Sequence, residues 1–213
     1  MLQPMENEQQ LWNKARRRWK KAEPNTGLTW GVSLDCSGFL SKVMQHAPIT
    51  AATSILEVGP GYGRFPLSLL SQRIPFRSYL GVDISAPNVE HLRRAFDDPR
   101  FGFAQGDAET LALDGRFDLF VCTVTIHHFY PDFGALLRNL RRSLAPHARL
   151  VFDLHEGTRK YFEADGVTFI ACYSRDEIDV LLRSARLRRI AFDTVVHDAK
   201  HQRLLVVAKA SQE

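Results

Sequence analysis

The sequence predicts an α/β fold, with a mostly parallel sheet covered by helices on both faces and an antiparallel hairpin at its C-terminal end. A short apolar strand at 54–58 leads directly into a glycine-rich turn, which suits the binding of a nucleotide-like cofactor. Apolar strands and helices then alternate, and such alternation produces parallel strands. The last two apolar segments, 190–196 and 203–209, are separated by six residues, enough for a hairpin but too few for a crossover.

Seven apolar segments are expected to form the strands: 54–58, 79–83, 101–104, 115–122, 149–154, 190–196 and 203–209. Helices are expected at 37–46, after the N-cap residue Ser85, from Asp132, and after Ser174, which forms a capping box with Glu177. The last three helices carry apolar residues at helical spacing: Val89, Leu92 and Phe96; Phe133, Leu136, Leu137, Leu140 and Leu144; Ile178, Leu181, Leu182 and Ala185.

Length and composition indicate one domain, 51–213, preceded by a helical extension or lid, 1–50. Hydrophobic residues make up 45% of the chain and charged residues 24%, which is typical of a soluble globular protein. No apolar run approaches the roughly 18 residues of a membrane span. Because the first 25 residues are also too polar for a secretory signal, a cytoplasmic protein is expected.

The glycine-rich turn has the pattern Glu57-x-Gly59-x-Gly61-x-Gly63. Glycine has no Cβ, so the backbone can bend tightly and lie against a ligand. A dinucleotide fingerprint would require Gly or Ala where Arg64 stands, which argues against a nicotinamide or flavin cofactor. The pattern resembles motif I of the class I S-adenosylmethionine-dependent methyltransferases. That resemblance implies a Rossmann-like, seven-stranded sheet and S-adenosylmethionine as the cofactor.

Two further carboxylates follow the pattern of this family. Asp83 ends the second strand, 24 residues after Gly59, where an acidic residue accepts hydrogen bonds from ribose hydroxyls. Asp107 stands where the family has the carboxylate that takes the adenine amino group, although an aspartate here could instead form a turn. The expected cofactor site is completed by Ile84, Ala108 and Thr123.

The loop after the fourth strand contains adjacent histidines, His127 and His128. It lacks the Asn/Asp-Pro-Pro-Tyr/Phe motif that methyltransferases of nucleic-acid base nitrogens often carry there. An imidazole with an ordinary pKa of about 6.5 suits the removal of a proton from a hydroxyl during methyl transfer. O-methylation with one of these histidines as the base is therefore predicted, the alternative being that both only pack.

The loop after the fifth strand offers rival groups. His155 follows Asp153 by two residues, and Glu156 could orient its ring or bind an acceptor hydroxyl. These three side chains could also serve as donors to a divalent ion, but their spacing is not specific enough to predict a metal site.

The N-terminal segment 14–21 has six cationic residues out of eight, and Trp12 and Trp19 lie seven residues apart on one face of a helix. Such a helix could bind nucleic acid or anionic lipid. The favoured interpretation is a lid whose tryptophans cover the cofactor cleft while its arginines stay in solvent.

The stretches 28–31 and 153–162 resemble small bacterial methyltransferases of sugars and polysaccharides. The resemblance implies a small-molecule acceptor, preferentially a sugar. The alternatives are a methyltransferase acting on RNA or another anionic acceptor, and a non-catalytic cofactor-binding protein. The residues leave the oligomeric state open, a homodimer included.

Overall fold

The structure is a computed structural model that describes residues 7–21, 36–198 and 201–211. The stretch 28–31 lies outside these ranges. The described helices are α1 Glu8–Lys20, α2 Ser37–His46, α3 Arg64–Ser71, α4 Ala86–Ala95, α5 Gly134–Leu140 and α6 Arg175–Ser184. The strands are β1 Ser54–Val58, β2 Ser78–Asp83, β3 Phe101–Gln105, β4 Phe117–Cys122, β5 Leu144–Glu156, β6 Lys160–Phe162, β7 Phe169–Tyr173, β8 Leu187–Asp198 and β9 His201–Ala210.

The sheet has the order β3-β2-β1-β4-β5, and all neighbours in this part are parallel. On the far side of β5, β9 pairs antiparallel with it and β8 pairs antiparallel with β9. The predicted fold class is therefore confirmed, including the C-terminal hairpin. Parallel strands direct their carboxyl ends to one edge, so the loops after β1 to β5 meet there.

The seven predicted strands are all present, as β1 to β5, β8 and β9, and two further strands, β6 and β7, bring the sheet to nine in the described ranges. Strand β5 continues to Glu156, and its last two residues pair with β7. Strand β6, within the stretch predicted as a loop, pairs antiparallel with β7. It has only three residues and none is buried, so it shows no apolar alternation and depends on a distant partner.

The helix from Asp132 was expected to include Leu144, which instead begins β5. Helix α5 ends at Leu140 and is followed by a short 3₁₀ turn. Leu144 belongs to the sheet instead, because it pairs with Phe117 of β4.

Two hydrophobic cores lie on opposite faces of the sheet. Phe120 and Phe152 belong to the core under α5 and α6, whereas their chain neighbours Val121 and Val151 belong to the core under α2, α3 and α4. This alternation buries both faces, as a parallel sheet requires. Within the described ranges, no helix is both long and apolar enough to cross a membrane.

Candidate active site

A cavity of about 190 Å³ opens at the carboxyl ends of the parallel strands. Its walls come from the turn after β1, the end of β2, the loops after β3 and β4, and helix α1. The lining includes eight of the nine residues predicted to bind the cofactor: Glu57, Gly59, Gly61, Asp83, Ile84, Asp107, Ala108 and Thr123. Of the four catalytic candidates, only His128 belongs to it.

Glycine is needed at the three positions of the turn for two different structural reasons. All have positive φ angles, +72° at Gly59, +57° at Gly61 and +95° at Gly63. A Cβ at Gly59 would lie 2.4 Å from Thr125, and one at Gly63 would lie 2.8 Å from a ring carbon of Phe96. A Cβ at Gly61 would meet no protein atom within 4 Å. Gly61 therefore keeps space open at the cavity, whereas Gly63 is required by packing and does not line it.

Two buried carboxylates face the cavity beside this turn. Glu57 is 1% exposed and accepts a hydrogen bond from the hydroxyl of Tyr79. Asp83 is 7% exposed and accepts from the backbone N–H groups of Gly61 at 3.0 Å and Ser85 at 2.8 Å. Burial raises the pKa of Glu57 to about 8 and that of Asp83 to about 6. A ligand that brings hydrogen-bond donors or a positive charge favours the ionised form of both carboxyl groups.

Asp107 faces the cavity but is also bound by the N-terminal helix. Its Oδ2 accepts from Nε of Arg16 at 2.6 Å, and its Oδ1 accepts from the backbone N–H of Glu109 at 3.1 Å. The bond from the Glu109 N–H forms the turn that was considered as the alternative role of Asp107. Asp107 therefore forms this turn and also faces the cavity.

The expectation that the arginines of the lid stay in solvent is wrong for Arg16. Arg16 is 5% exposed, lines the cavity and pairs with both Asp107 and Glu109, so it is not in solvent. Trp19 lines the cavity and its ring lies 4.2 Å from the ring of His128. Trp12 instead packs on the Arg16 guanidinium, 3.6 Å from the ring centroid. Pairing with carboxylates 91 and 93 positions away in the chain explains why Arg16 is buried.

The two adjacent histidines have different environments. His127 is fully buried, its Nδ1 accepts from Arg203 at 3.0 Å, and its Nε2 has no partner among the described residues. Nδ1 of His128 lies 2.8 Å from the carbonyl oxygen of Phe169, to which it must donate. The lone pair of His128 is therefore on Nε2. Burial lowers the pKa of His128 to about 3, which keeps the ring neutral.

The groups after the fifth strand lie away from the cavity lining. His155 packs edge-on against His127, with ring centroids 4.8 Å apart. Glu156 is exposed and pairs with Arg175 at 2.7 Å, so the structure places its carboxylate against this cation. His155 and Glu156 were expected in a loop. They belong instead to the extended β5 strand, where both pair with β7.

Asp153 has a role that the sequence did not reveal. It accepts hydrogen bonds from the Thr123 hydroxyl at 2.6 Å and the Val124 N–H at 2.9 Å, and it contacts Nε2 of His197 at 2.8 Å. It therefore fixes the start of the loop after β4. Against the effect of burial, the bond with His197 and the nearby Arg203 cation lower the pKa of Asp153. Within the part of the chain that the structure describes, no cluster of three or more His, Cys, Asp or Glu residues could hold a metal ion.

Residues 56–152 match the family described as "Methyltransferase domain". The resemblance to methyltransferases is thereby confirmed for this segment. Phthiotriol/phenolphthiotriol dimycocerosates methyltransferase 1 of Mycobacterium ulcerans (strain Agy99) is 33% identical over 99 residues, which are 46% of this chain and 36% of that protein. Ribosomal RNA small subunit methyltransferase A of Parasynechococcus marenigrum (strain WH8102) is 32% identical over 118 residues, 53% of this chain and 38% of that protein. The chain thus spans little more than a third of the length of these relatives.

Among solved structures, Burkholderia thailandensis 1,6-didemethyltoxoflavin-N1-methyltransferase with bound 1,6-didemethyltoxoflavin and S-adenosylhomocysteine superposes with a TM-score of 0.70. The alignment covers 86% of this chain and 80% of that chain at 21% identity. At this identity the likeness concerns the fold, and it agrees with the parallel sheet and C-terminal hairpin described above.

Proposed function

We propose that this methyltransferase-domain protein transfers the methyl group of S-adenosylmethionine to a hydroxyl of a small-molecule acceptor, preferentially a sugar or oligosaccharide. The observation that carries the proposal is the position of the His128 ring on the wall of a cavity that also contains the glycine turn and two buried carboxyl groups. A base and a cofactor site thus share one cavity.

The cavity residues fit the cofactor. S-adenosylmethionine, when bound, supplies an electrophilic methyl group on a sulfonium centre. Glu57, Asp83 and Asp107 offer carboxylate oxygens to its amine and hydroxyl donors, and Gly61 leaves room for it beside the turn. The solved neighbour from Burkholderia thailandensis, which holds S-adenosylhomocysteine, supports the same assignment.

His128 is the group that we assign as the general base. Its Nδ1–H is fixed on the Phe169 carbonyl, so Nε2 can accept the proton that leaves the acceptor hydroxyl. The hydroxyl oxygen forms its bond to the methyl group as the carbon–sulfur bond breaks, and the proton moves to His128. His127 supports the ring from behind, with centroids 4.0 Å apart, and acts as a positioning residue.

A sugar acceptor is supported by the mixed character of the walls near His128. Trp19 and Phe129 offer flat apolar surfaces, and Thr125 and Arg64 add polar groups. A sugar ring needs both kinds of contact. The experiment uses cofactor with a radiolabelled methyl group and a panel of sugars, partially methylated sugars, small phenols and bulk RNA. Label in a sugar as an alkali-stable ether is the expected result, and label only in RNA or only on nitrogen would contradict the proposal.

RNA is the second candidate, because a ribosomal RNA methyltransferase is among the relatives and α1 is basic. Two of the α1 arginines are engaged, however, Arg16 with Asp107 and Glu109 and Arg18 with Asp165. An RNA arm would show binding that weakens steeply with salt, because each phosphate contact releases counterions. Tight, salt-sensitive binding of bulk RNA would favour this candidate over the sugar.

Cofactor binding should depend on pH through Asp83. Its pKa of about 6 means that the carboxylate gains a proton as the pH falls below this value. Ribose hydroxyls bind the ionised form better, so the affinity for S-adenosylhomocysteine should fall by up to about tenfold per pH unit below pH 6. Calorimetry between pH 5 and pH 7 measures this. The variant Asp83→Asn should bind about 10- to 100-fold more weakly and lose the slope; an unchanged slope would assign the titration to another group.

A further inference from the structure

Helix α1 is attached to the cavity through one buried cation. Nε of Arg16 donates to Asp107 at 2.6 Å, and a second guanidinium nitrogen pairs with Glu109, whose side chain is 4% exposed. The ring of Trp12 covers the guanidinium at 3.6 Å from its centroid. A buried guanidinium is tolerated only when it is paired, so these two carboxylates hold Arg16, and Arg16 holds the helix.

Helix α1 also connects two walls of the cavity. Arg16 contacts the loop after β3, and three residues further Trp19 packs on His128 in the loop after β4. A further ion pair of α1, Arg18 with Asp165, has side chains 23% and 33% exposed and contributes less, because water screens it. Arg16 and Trp19 are therefore the two α1 side chains that join the helix to opposite walls of the cavity.

We infer that α1 is a lid that closes over the bound cofactor, and that Arg16 is the positioning residue that couples closure to cofactor binding through Asp107. The inference rests on the proposed function, since it takes the cavity to be the cofactor site. Each carboxylate oxygen has two acceptor positions. Asp107 can therefore bind a donor group of the ligand while it keeps Arg16 on Oδ2 and the Glu109 N–H on Oδ1. Ligand and lid then stabilise each other reciprocally.

The test measures S-adenosylhomocysteine affinity by calorimetry and amide hydrogen exchange of α1 with and without this compound. In the wild type, the compound should slow exchange across residues 8–20. Arg16→Gln should weaken binding about 10- to 100-fold, the effect of losing a charge-assisted hydrogen bond, and should remove the protection. Arg17→Gln is the matched control, because the neighbouring Arg17 is exposed on the same helix, and it should behave as the wild type.

Glu109→Gln removes one partner of Arg16 without changing α1, and it should shift both readouts in the same direction by a smaller amount. This variant keeps the test decisive if Arg16→Gln does not fold. Two results would overturn the lid proposal. One is an unchanged or tighter affinity for S-adenosylhomocysteine in the folded Arg16→Gln variant. The other is amide exchange of α1 that the compound does not change in the wild type. A wild type that binds no S-adenosylhomocysteine would instead contradict the proposed function, and the lid with it.

Discussion

Replacing Gly61 by valine should weaken S-adenosylhomocysteine binding by about 100-fold or more, while the protein stays folded. Gly61 has a φ of +57°, and a Cβ there would meet no protein atom within 4 Å, because it would project into free space at the cavity. A valine side chain would occupy space that the cofactor needs. The obstruction lowers the binding free energy, and the unfavourable φ lowers the free energy of unfolding, each by about 1 to 3 kcal/mol. Calorimetry gives the affinity, and thermal unfolding reports the fold.

Gly166 provides the matched control for this substitution. Its φ is +69°, and a Cβ there also meets nothing within 4 Å, but it lies in the turn between β6 and β7 and is outside the cavity lining. Gly166→Val therefore has the same backbone strain without the obstruction. It should lower the melting temperature about as much as Gly61→Val and leave affinity unchanged. Equal loss of affinity in both variants would attribute the effect to backbone strain and would remove Gly61 from the cofactor site.

The parts of the fold that were predicted correctly are those encoded locally. Helix α2 has the predicted bounds Ser37–His46, and Ser85 and Ser174 accept hydrogen bonds from Asn88 and Glu177 as N-caps. Strand β6 could not be predicted, because three unburied residues become a strand only by pairing with β7. Leu144 has helical spacing to α5, and only its pairing with Phe117 of β4, a tertiary contact, places it in a strand.

In the candidate site, too, some residues could be predicted from local sequence and others depend on tertiary contacts. The glycine turn and Asp83 are recognisable because each follows directly from the end of a strand, and both line the cavity. The pairing of Arg16 with Asp107 joins residues 91 positions apart, so no local pattern reveals it. The two histidines are adjacent in sequence, and Arg203, from the last strand, holds His127 away from the cavity. Tertiary contacts therefore decide which of the two rings lines the cavity.

Replacing His128 should lower the rate of methyl transfer without releasing the cofactor. Loss of a general base typically costs about 10² to 10⁴ in kcat, and the lower end is expected here because a ring of low pKa accepts a proton weakly. The remaining rate comes from proximity and orientation. Because the His128 pKa is about 3, its ring is neutral throughout the range from pH 5 to pH 8. The titration of His128 should therefore add no slope to kcat there, in contrast to the rise expected of an ordinary imidazole. Steady-state kinetics of His128→Ala with the acceptor identified in the panel measures the loss.

His128 also packs against Trp19, so the alanine variant removes a ring contact together with the base. His128→Phe separates the two roles, since phenylalanine keeps an aromatic ring beside Trp19 but has no nitrogen to accept a proton. If His128 is the base, both variants should lose kcat to a similar degree, and His128→Phe, which keeps the ring contact with Trp19, should retain the wild-type affinity for S-adenosylhomocysteine. His155→Ala should have a much smaller effect, because His155 is outside the cavity lining. Recovery of kcat in His128→Phe would make His128 a packing residue, and abolished turnover in His155→Ala would move the chemistry to the end of β5.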